Sequence, residues 1–225
     1  MTGAETPAVR ARSRVPVPGG GRPDRTGAVL AWAFVVLLLA SEAALTLPGE
    51  TASDPDVTSF YVRHRGAVVV LQLVGFVAAG LLGAYSIRLR RFDTVAGSVG
   101  LLTAVLACAP GVVTLVIALL ADPAHPSAAG TWNAGEPRAD DLLFLGITVF
   151  GAAIALRPRF PALARVLGAM VALLCAARLV LEAVSSPRGT VDNLGPIAFV
   201  LLVAALGALS AMGRLSPDSP ARSAA

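Results

Sequence analysis

Four polar side chains interrupt long apolar stretches of the chain: Glu42, Gln72, Arg178 and Glu182. An ionisable group in a membrane helix costs roughly 2.5 kcal/mol or more at the bilayer centre, so it usually faces the bundle interior and has a partner. Arg178 and Glu182 lie one helical turn apart and share a helix face. We therefore expect them, with Glu42, to form one cluster.

Three interpretations of this cluster remain open. The simplest is a structural ion pair between Glu42 and Arg178, with Glu182 as the alternative counter-ion. The second is a ligand-binding site in which Glu42 is the functional acid, Arg178 orients an anionic or polar ligand, and Gln72 is a hydrogen-bonding neighbour. The third is a membrane-embedded enzyme with Glu42 or Glu182 as general acid on an isoprenoid or lipid, which the sequence favours least.

Composition indicates that the cluster lies in a membrane. The 225 residues are 56% hydrophobic and only 14% charged, whereas about 25% of residues in a soluble domain are charged. Apolar runs occupy residues 28–47, 67–87, 94–121, 142–156, 166–184 and 194–213. About 20 residues of helix cross a hydrocarbon core, so the sequence predicts an all-α bundle of six transmembrane helices. Pro110 and Gly111 predict a kink in the third run.

The placement of arginine predicts the orientation. All 18 basic residues are arginine. Of these, 13 lie before the first apolar run, after the second, after the fourth or after the sixth. The positive-inside rule assigns such positions to the cytoplasm. We therefore predict that the protein lies in a bacterial plasma membrane with both termini on the cytoplasmic side. A rise of about 1.5 Å per residue then puts Glu42, Gln72, Arg178 and Glu182 in the outer half of the bilayer.

The domain prediction has three parts. Residues 1–27, rich in Pro, Gly and Arg, are expected to be a disordered cytoplasmic tail; residues 28–213 form the transmembrane domain, and 214–225 a cytoplasmic tail. A cleaved signal peptide is the alternative for segment 1. Residues 48–65 and 122–140 are expected to be long outer loops, with Tyr61 and Trp132 at the interface. Asp141 and Asn193 are expected to be helix N-caps.

Several other classes of function have little support. The chain lacks the sequence motifs of serine hydrolases, zinc proteases, P-loop enzymes and dinucleotide-binding proteins. Cys108, Cys175, His64 and His125 are too scattered for a metal site, and neither a metal nor a cofactor is predicted. Arginines without interleaved aromatic residues argue against nucleic-acid binding. The predicted partners are the lipid bilayer and a small molecule or lipid; a homo-oligomer remains open.

One short motif carries a family resemblance. Phe60-Tyr61-Val62-Arg63-His64-Arg65-Gly66 leads into an apolar helix that ends in Arg88-Leu89-Arg90-Arg91. The pattern, across residues 28–110, resembles uncharacterised multi-pass membrane proteins of actinobacteria. This resemblance implies six helices and a plasma-membrane location, and it carries no activity. The sequence thus favours an accessory or binding protein with an outward-facing polar cluster; a small secondary transporter is the alternative, beside the enzyme above.

Overall fold

The computed structural model describes residues 22–49, 52–184 and 191–215, and all regular elements within them are α-helices. They are α1 (Arg25–Ala44), α2 (Asp54–Leu89), α3 (Thr94–Leu106), α4 (Cys108–Leu120), α5 (Pro126–Asn133), α6 (Glu136–Ala155), α7 (Ala162–Ala183) and α8 (Val191–Ala211). Five stretches are long and apolar enough to cross a membrane: α1, α2, α3 with α4, α7, and most of α8. They indicate a membrane-embedded protein. The first turns of α6 carry several charges, which set it apart from these five.

The long helices form a ring in which each packs against its neighbours in sequence. The ring runs from α1 through α2, the α3–α4 pair, α6 and α7 to α8, and α8 packs back against α1. Aromatic side chains fill its middle: the ring of Phe199 lies edge-on to Phe34, at 6.0 Å, and to Phe150, at 6.2 Å. The arrangement buries one apolar face of each helix.

One end of the bundle, the arginine end, gathers the start of α1, the α2–α3 and α6–α7 connections, and the end of α8. The backbone N–H of Asp24 donates to the Ser210 carbonyl, at 2.9 Å. The Phe92 and Phe160 rings of the two connections meet at 5.2 Å. The segments predicted to share one side of the membrane thus lie at one end of the bundle, as far as they are described.

The other end, the acidic end, contains a small helical cap that differs from the predicted loops. Helix α2 begins at Asp54, so most of the supposed loop 48–65 is helical; α5 and the start of α6 occupy much of 122–140. The 36 residues of α2 extend roughly 54 Å at 1.5 Å per residue, well beyond a hydrocarbon core of about 30 Å. Tyr61, expected at the interface, is fully buried in this cap against α4 and α5.

Two helices of the ring are in backbone contact. A Cβ atom at Gly151 would lie 2.6 Å from the Gly168 carbonyl oxygen, and one at Gly168 would lie 2.7 Å from the Gly151 carbonyl oxygen. Glycine at both positions therefore lets α6 and α7 approach more closely than any side chain would allow. This contact fixes the rotation of α6, which becomes important at the candidate site.

Some boundaries differ from the predictions. The predicted N-terminal tail is helical from Arg25, and the Asp24 carboxylate caps α1 by accepting from the Gly27 N–H, at 3.0 Å. Neither Asp141 nor Asn193 is an N-cap, because α6 and α8 begin at Glu136 and Val191. Residues 1–21 and 216–225, on which most of both predicted tails falls, lie outside the described residues.

Candidate functional site

A cavity of about 430 Å³ lies within the bundle towards the acidic end. Its walls come from α1, α2, the junction of α3 with α4, and α6. Most of the lining is aliphatic or aromatic, and the polar side chains are those of Ser41, Glu42, Thr46, Gln72 and Asp140. Two of the four predicted site residues, Glu42 and Gln72, therefore face one space.

A break in the third apolar segment forms one wall of this cavity. The helix is interrupted at Ala107, between α3 and α4. Proline cannot donate to the carbonyl four residues earlier, and its ring clashes with that group; for Pro110 this is the carbonyl of Leu106. The kink predicted from Pro110 and Gly111 is thus present one turn before the proline, and Ala107, Pro110 and Gly111 all line the cavity.

Gln72 lies against the backbone of this wall. A Cβ atom at Gly111 would be 3.0 Å from Gln72 Oε1 and 2.9 Å from Phe76 Cε1. Because Gly111 has no side chain, the amide of Gln72 fits against the α4 backbone at this point. Gln72 forms no side-chain hydrogen bond with any described residue, so its amide can both donate and accept within the cavity.

Glu42 is the carboxylate that the last turn of α1 contributes to the cavity lining. It is exposed, and it forms neither an ion pair nor a hydrogen bond with the described residues. The neighbouring Ser41 hydroxyl donates to the Leu38 carbonyl of its own helix, at 2.8 Å. Its hydroxyl is thus already engaged, which leaves the Glu42 carboxylate as the strongest hydrogen-bond acceptor that α1 presents to the cavity.

Asp140 is the site residue that sequence reasoning missed. It precedes the apolar stretch of α6, and its carboxyl lines the cavity opposite α1. Burial, followed by the negative charge of Glu136, raises the pKa of Asp140 to about 6, with a smaller contribution from Glu42, while Arg178 opposes the shift. Asp140 and Glu42 therefore belong to one electrostatic environment, and protonation of Asp140 falls near neutral pH.

Arg178 is not among the residues that line the cavity, and it forms an ion pair with Asp141 where one with Glu42 was expected. Its Nη1 donates to Asp141 Oδ1 at 2.8 Å, and its guanidinium stacks 3.8 Å from the centroid of the Phe144 ring. Only 4% of Arg178 is exposed. The partner therefore comes from α6. Successive residues of a helix project about 100° apart, so Asp140 faces the cavity while Asp141 faces α7.

Glu182 is also absent from the residues that line the cavity. It is half-buried in the last turns of α7, on the same helix as Arg178. The four predicted residues thus divide into Glu42 and Gln72 in the cavity and Arg178 and Glu182 on α7. A run of two aspartates at the start of α6 was the available signal for the missed residue, but its meaning depends on the rotation of that helix.

Two acids without basic residues give the cavity its chemical character. No arginine or histidine is among the described residues that line it. Nor do the described residues include a group of three His, Cys, Asp or Glu side chains arranged to hold a metal ion. A carboxylate pair with an amide between apolar walls suits a positively charged group attached to an apolar body.

Comparison with known proteins identifies no relative: no family model, no curated protein and no solved structure matches this chain.

Proposed function

We propose that this chain is a six-pass plasma-membrane protein that binds a hydrophobic organic cation in a cavity open towards the outer face. The observation that supports this function is the placement of Glu42 and Asp140 around one apolar-walled cavity, with no described arginine in its lining. The proposal keeps the binding role expected from the sequence, with a cation in place of the anionic or polar ligand expected at Arg178. That residue is neutralised by Asp141 instead.

The sixth crossing is α6, whose apolar residues 142–156 complete the ring between the α3–α4 pair and α7. Its charged first turns then lie at the outer interface, and its arginine-containing end lies with the other arginines. The positive-inside rule places that end in the cytoplasm. The cavity, at the opposite end, then faces outwards.

The size and lining of the cavity support a small organic ligand. Its volume of about 430 Å³ lies within the range of roughly 300–1,000 Å³ for such pockets. A desolvated carboxylate attracts a cation far more strongly than it would in water. Phe34, Phe76 and Leu71 supply apolar contacts beside the acids.

Binding is better supported than transport, because tightly packed side chains lie between the cavity and the arginine end. Leu82, Tyr85 and Leu206 are fully buried there, and the Tyr85 hydroxyl lies 3.4 Å from that of Ser210. A transporter would need these contacts to open for release on the cytoplasmic side.

The experiment compares two probe ions of the same shape and opposite charge. Purified protein in lipid nanodiscs is dialysed against radiolabelled tetraphenylphosphonium or tetraphenylborate, with empty nanodiscs as background. We expect saturable binding of the cation only. Glu42→Gln or Asp140→Asn should weaken binding about tenfold, a loss of about 1.4 kcal/mol. Asp122→Asn, which removes an exposed acid outside the cavity, should leave it unchanged.

The pH dependence gives a second readout. Because the pKa of Asp140 is about 6, protonation removes one charge from the cavity as the pH falls below that value. Cation affinity should therefore decrease between pH 7.5 and 5, and the decrease should be smaller in Asp140→Asn. Equal binding of the two ions, or full binding by both variants, would refute the proposed function.

A further inference from the structure

The arginine end carries a large excess of positive charge. Among the described residues there, nine arginines stand against two aspartates, Asp24 and Asp93. Asp24 is engaged by Arg88, at 2.7 Å, and Asp93 lies 4.0 Å from Arg157. The exposed arginines that have neither aspartate as partner are Arg22, Arg25, Arg90, Arg91, Arg159, Arg165 and Arg214. Their charge is available to an external anion.

Two of these arginines, Arg159 in the α6–α7 connection and Arg165 in the first turn of α7, contact backbone carbonyls. Arg165 Nε donates to the Ala155 carbonyl at 3.1 Å, and Arg159 Nη1 donates to the Phe92 carbonyl at 3.5 Å. Carbonyls orient a guanidinium without neutralising it. Each side chain retains N–H groups in the planar geometry that suits bidentate contact with phosphate.

An exposed aliphatic face begins beside Arg165. The carbonyl that Arg165 contacts belongs to the last residue of α6, and the next residue, Leu156, is 79% exposed. Val149 and Leu145 are exposed on the same helix. Spacings of seven and four residues put these three side chains on one helix face. This face runs away from the arginines towards the middle of the bundle.

We propose that the α6–α7 connection binds an anionic phospholipid, with Arg159 and Arg165 on its phosphate and an acyl chain along Leu156, Val149 and Leu145. Arginine clusters at the membrane surface attract anionic headgroups. The aliphatic face distinguishes a phospholipid from free phosphate, because only the lipid gains from contact with it. The site is separate from the cavity and does not depend on the function proposed for it.

The test is native mass spectrometry of the full-length protein titrated with dioleoyl-phosphatidylglycerol or dioleoyl-phosphatidylcholine. We expect the anionic lipid to bind at least tenfold more tightly, with an affinity that falls as salt increases. The double variant Arg159→Gln with Arg165→Gln should lose most of this preference. A control double variant, Arg63→Gln with Arg138→Gln, removes the same charge from exposed positions at the acidic end.

Three results would overturn the proposal. One is an equal affinity for the two lipids in the wild-type protein. Another is an equal loss in both double variants, which would indicate only the net charge of the protein. The third is displacement of the bound lipid by millimolar inorganic phosphate, because a site for free phosphate would not need the aliphatic face. All variants change exposed side chains, and a single symmetrical peak in size-exclusion chromatography verifies that each is folded.

Discussion

Asp24 closes the ring of helices at the arginine end, and its loss should measurably destabilise the bundle. Its carboxylate accepts three hydrogen bonds from Arg88 of α2, from Nε at 3.2 and 3.0 Å and from Nη2 at 2.7 Å. The same carboxylate caps α1 through Gly27, and the backbone of Asp24 bonds to α8 at Ser210. One residue thus ties together three helices whose other contacts are mostly apolar, apart from the hydroxyls of Tyr85 and Ser210.

The expected magnitude follows from the chemistry of each contact. Hydrogen bonds between charged groups contribute about 1.5–3 kcal/mol, and roughly 30% exposure of both side chains favours the lower part of that range. Asparagine is also a good N-cap, so Asp24→Asn should cost about 1.5–2 kcal/mol. Asp24→Ala removes the cap too and should cost about 1 kcal/mol more. For a chain of this size the first change should lower Tm by about 3–8 °C.

The pH dependence has a definite sign. The Arg88 guanidinium is the main reason why the pKa of Asp24 is lowered from its ordinary value of 3.8. The unfolded chain therefore binds this proton more readily than the folded one. The stabilisation is complete above pH 3.8 and is lost as the pH falls through the lower pKa of the folded state. Asp24→Asn should lack this loss.

The assay is thermal unfolding in detergent, followed by circular dichroism, for Asp24→Asn, Arg88→Gln and the double variant. If the two side chains form one pair, the double variant should be little less stable than either single variant. Strictly additive losses would refute the pairing. An unchanged Tm in Asp24→Asn would refute the argument that this contact closes the ring.

Three further predictions concern packing, the buried arginine and orientation. Gly151→Ala should destabilise the protein by about 1–3 kcal/mol, because the added methyl group would meet the α7 backbone. In the same thermal assay, the control Gly80→Ala should be neutral or slightly stabilising, because a Cβ atom at Gly80 meets open space. Asp141→Asn should lower Tm more than Asp141→Asn combined with Arg178→Gln, because the single change leaves a buried guanidinium without that carboxylate; equal Tm values would contradict this pairing. In a variant without native cysteines, Arg90→Cys should resist a membrane-impermeant thiol reagent in intact cells and react after lysis; labelling from outside would reverse the orientation.

The sequence predicted the helices well where a long apolar run defined them, and poorly where the chain leaves the membrane. Apolar length identified the segments, and the interruption near Pro110 followed from the chemistry of proline; the orientation drawn from arginine placement stays a prediction. The cap formed by the start of α2 with α5 was missed because its polar helices lack such a run. Their helicity depends on burying Val57 and Tyr61 against α4, which is a tertiary contact.

Pairing within the polar cluster was beyond the sequence for a different reason. Depth along a helix can be counted from residue numbers, and the count predicts a similar depth for Glu42, Gln72, Arg178 and Glu182, of which only the first two line the cavity. The direction in which each side chain projects around the helix axis depends instead on how the helices pack. The contact between Gly151 and Gly168 fixes the rotation of α6, which sends Asp140 to the cavity and Asp141 to Arg178. A shift of one residue in the register of α6 would put Asp141 in the place of Asp140 and Leu142 in the place of Asp141.

The first and last helices of the ring, α1 and α8, are neighbours, and the hydrogen bond from Asp24 to Ser210 joins them at the arginine end. Helix α8 packs against α1 in the same way that consecutive helices of the ring pack against each other. A circularly permuted gene that joins the present termini and opens the α6–α7 connection should therefore encode the same bundle. Its new termini would emerge at the same end of the molecule. Such a permutant would carry fusion partners on α6 and α7, beside the arginines of that connection.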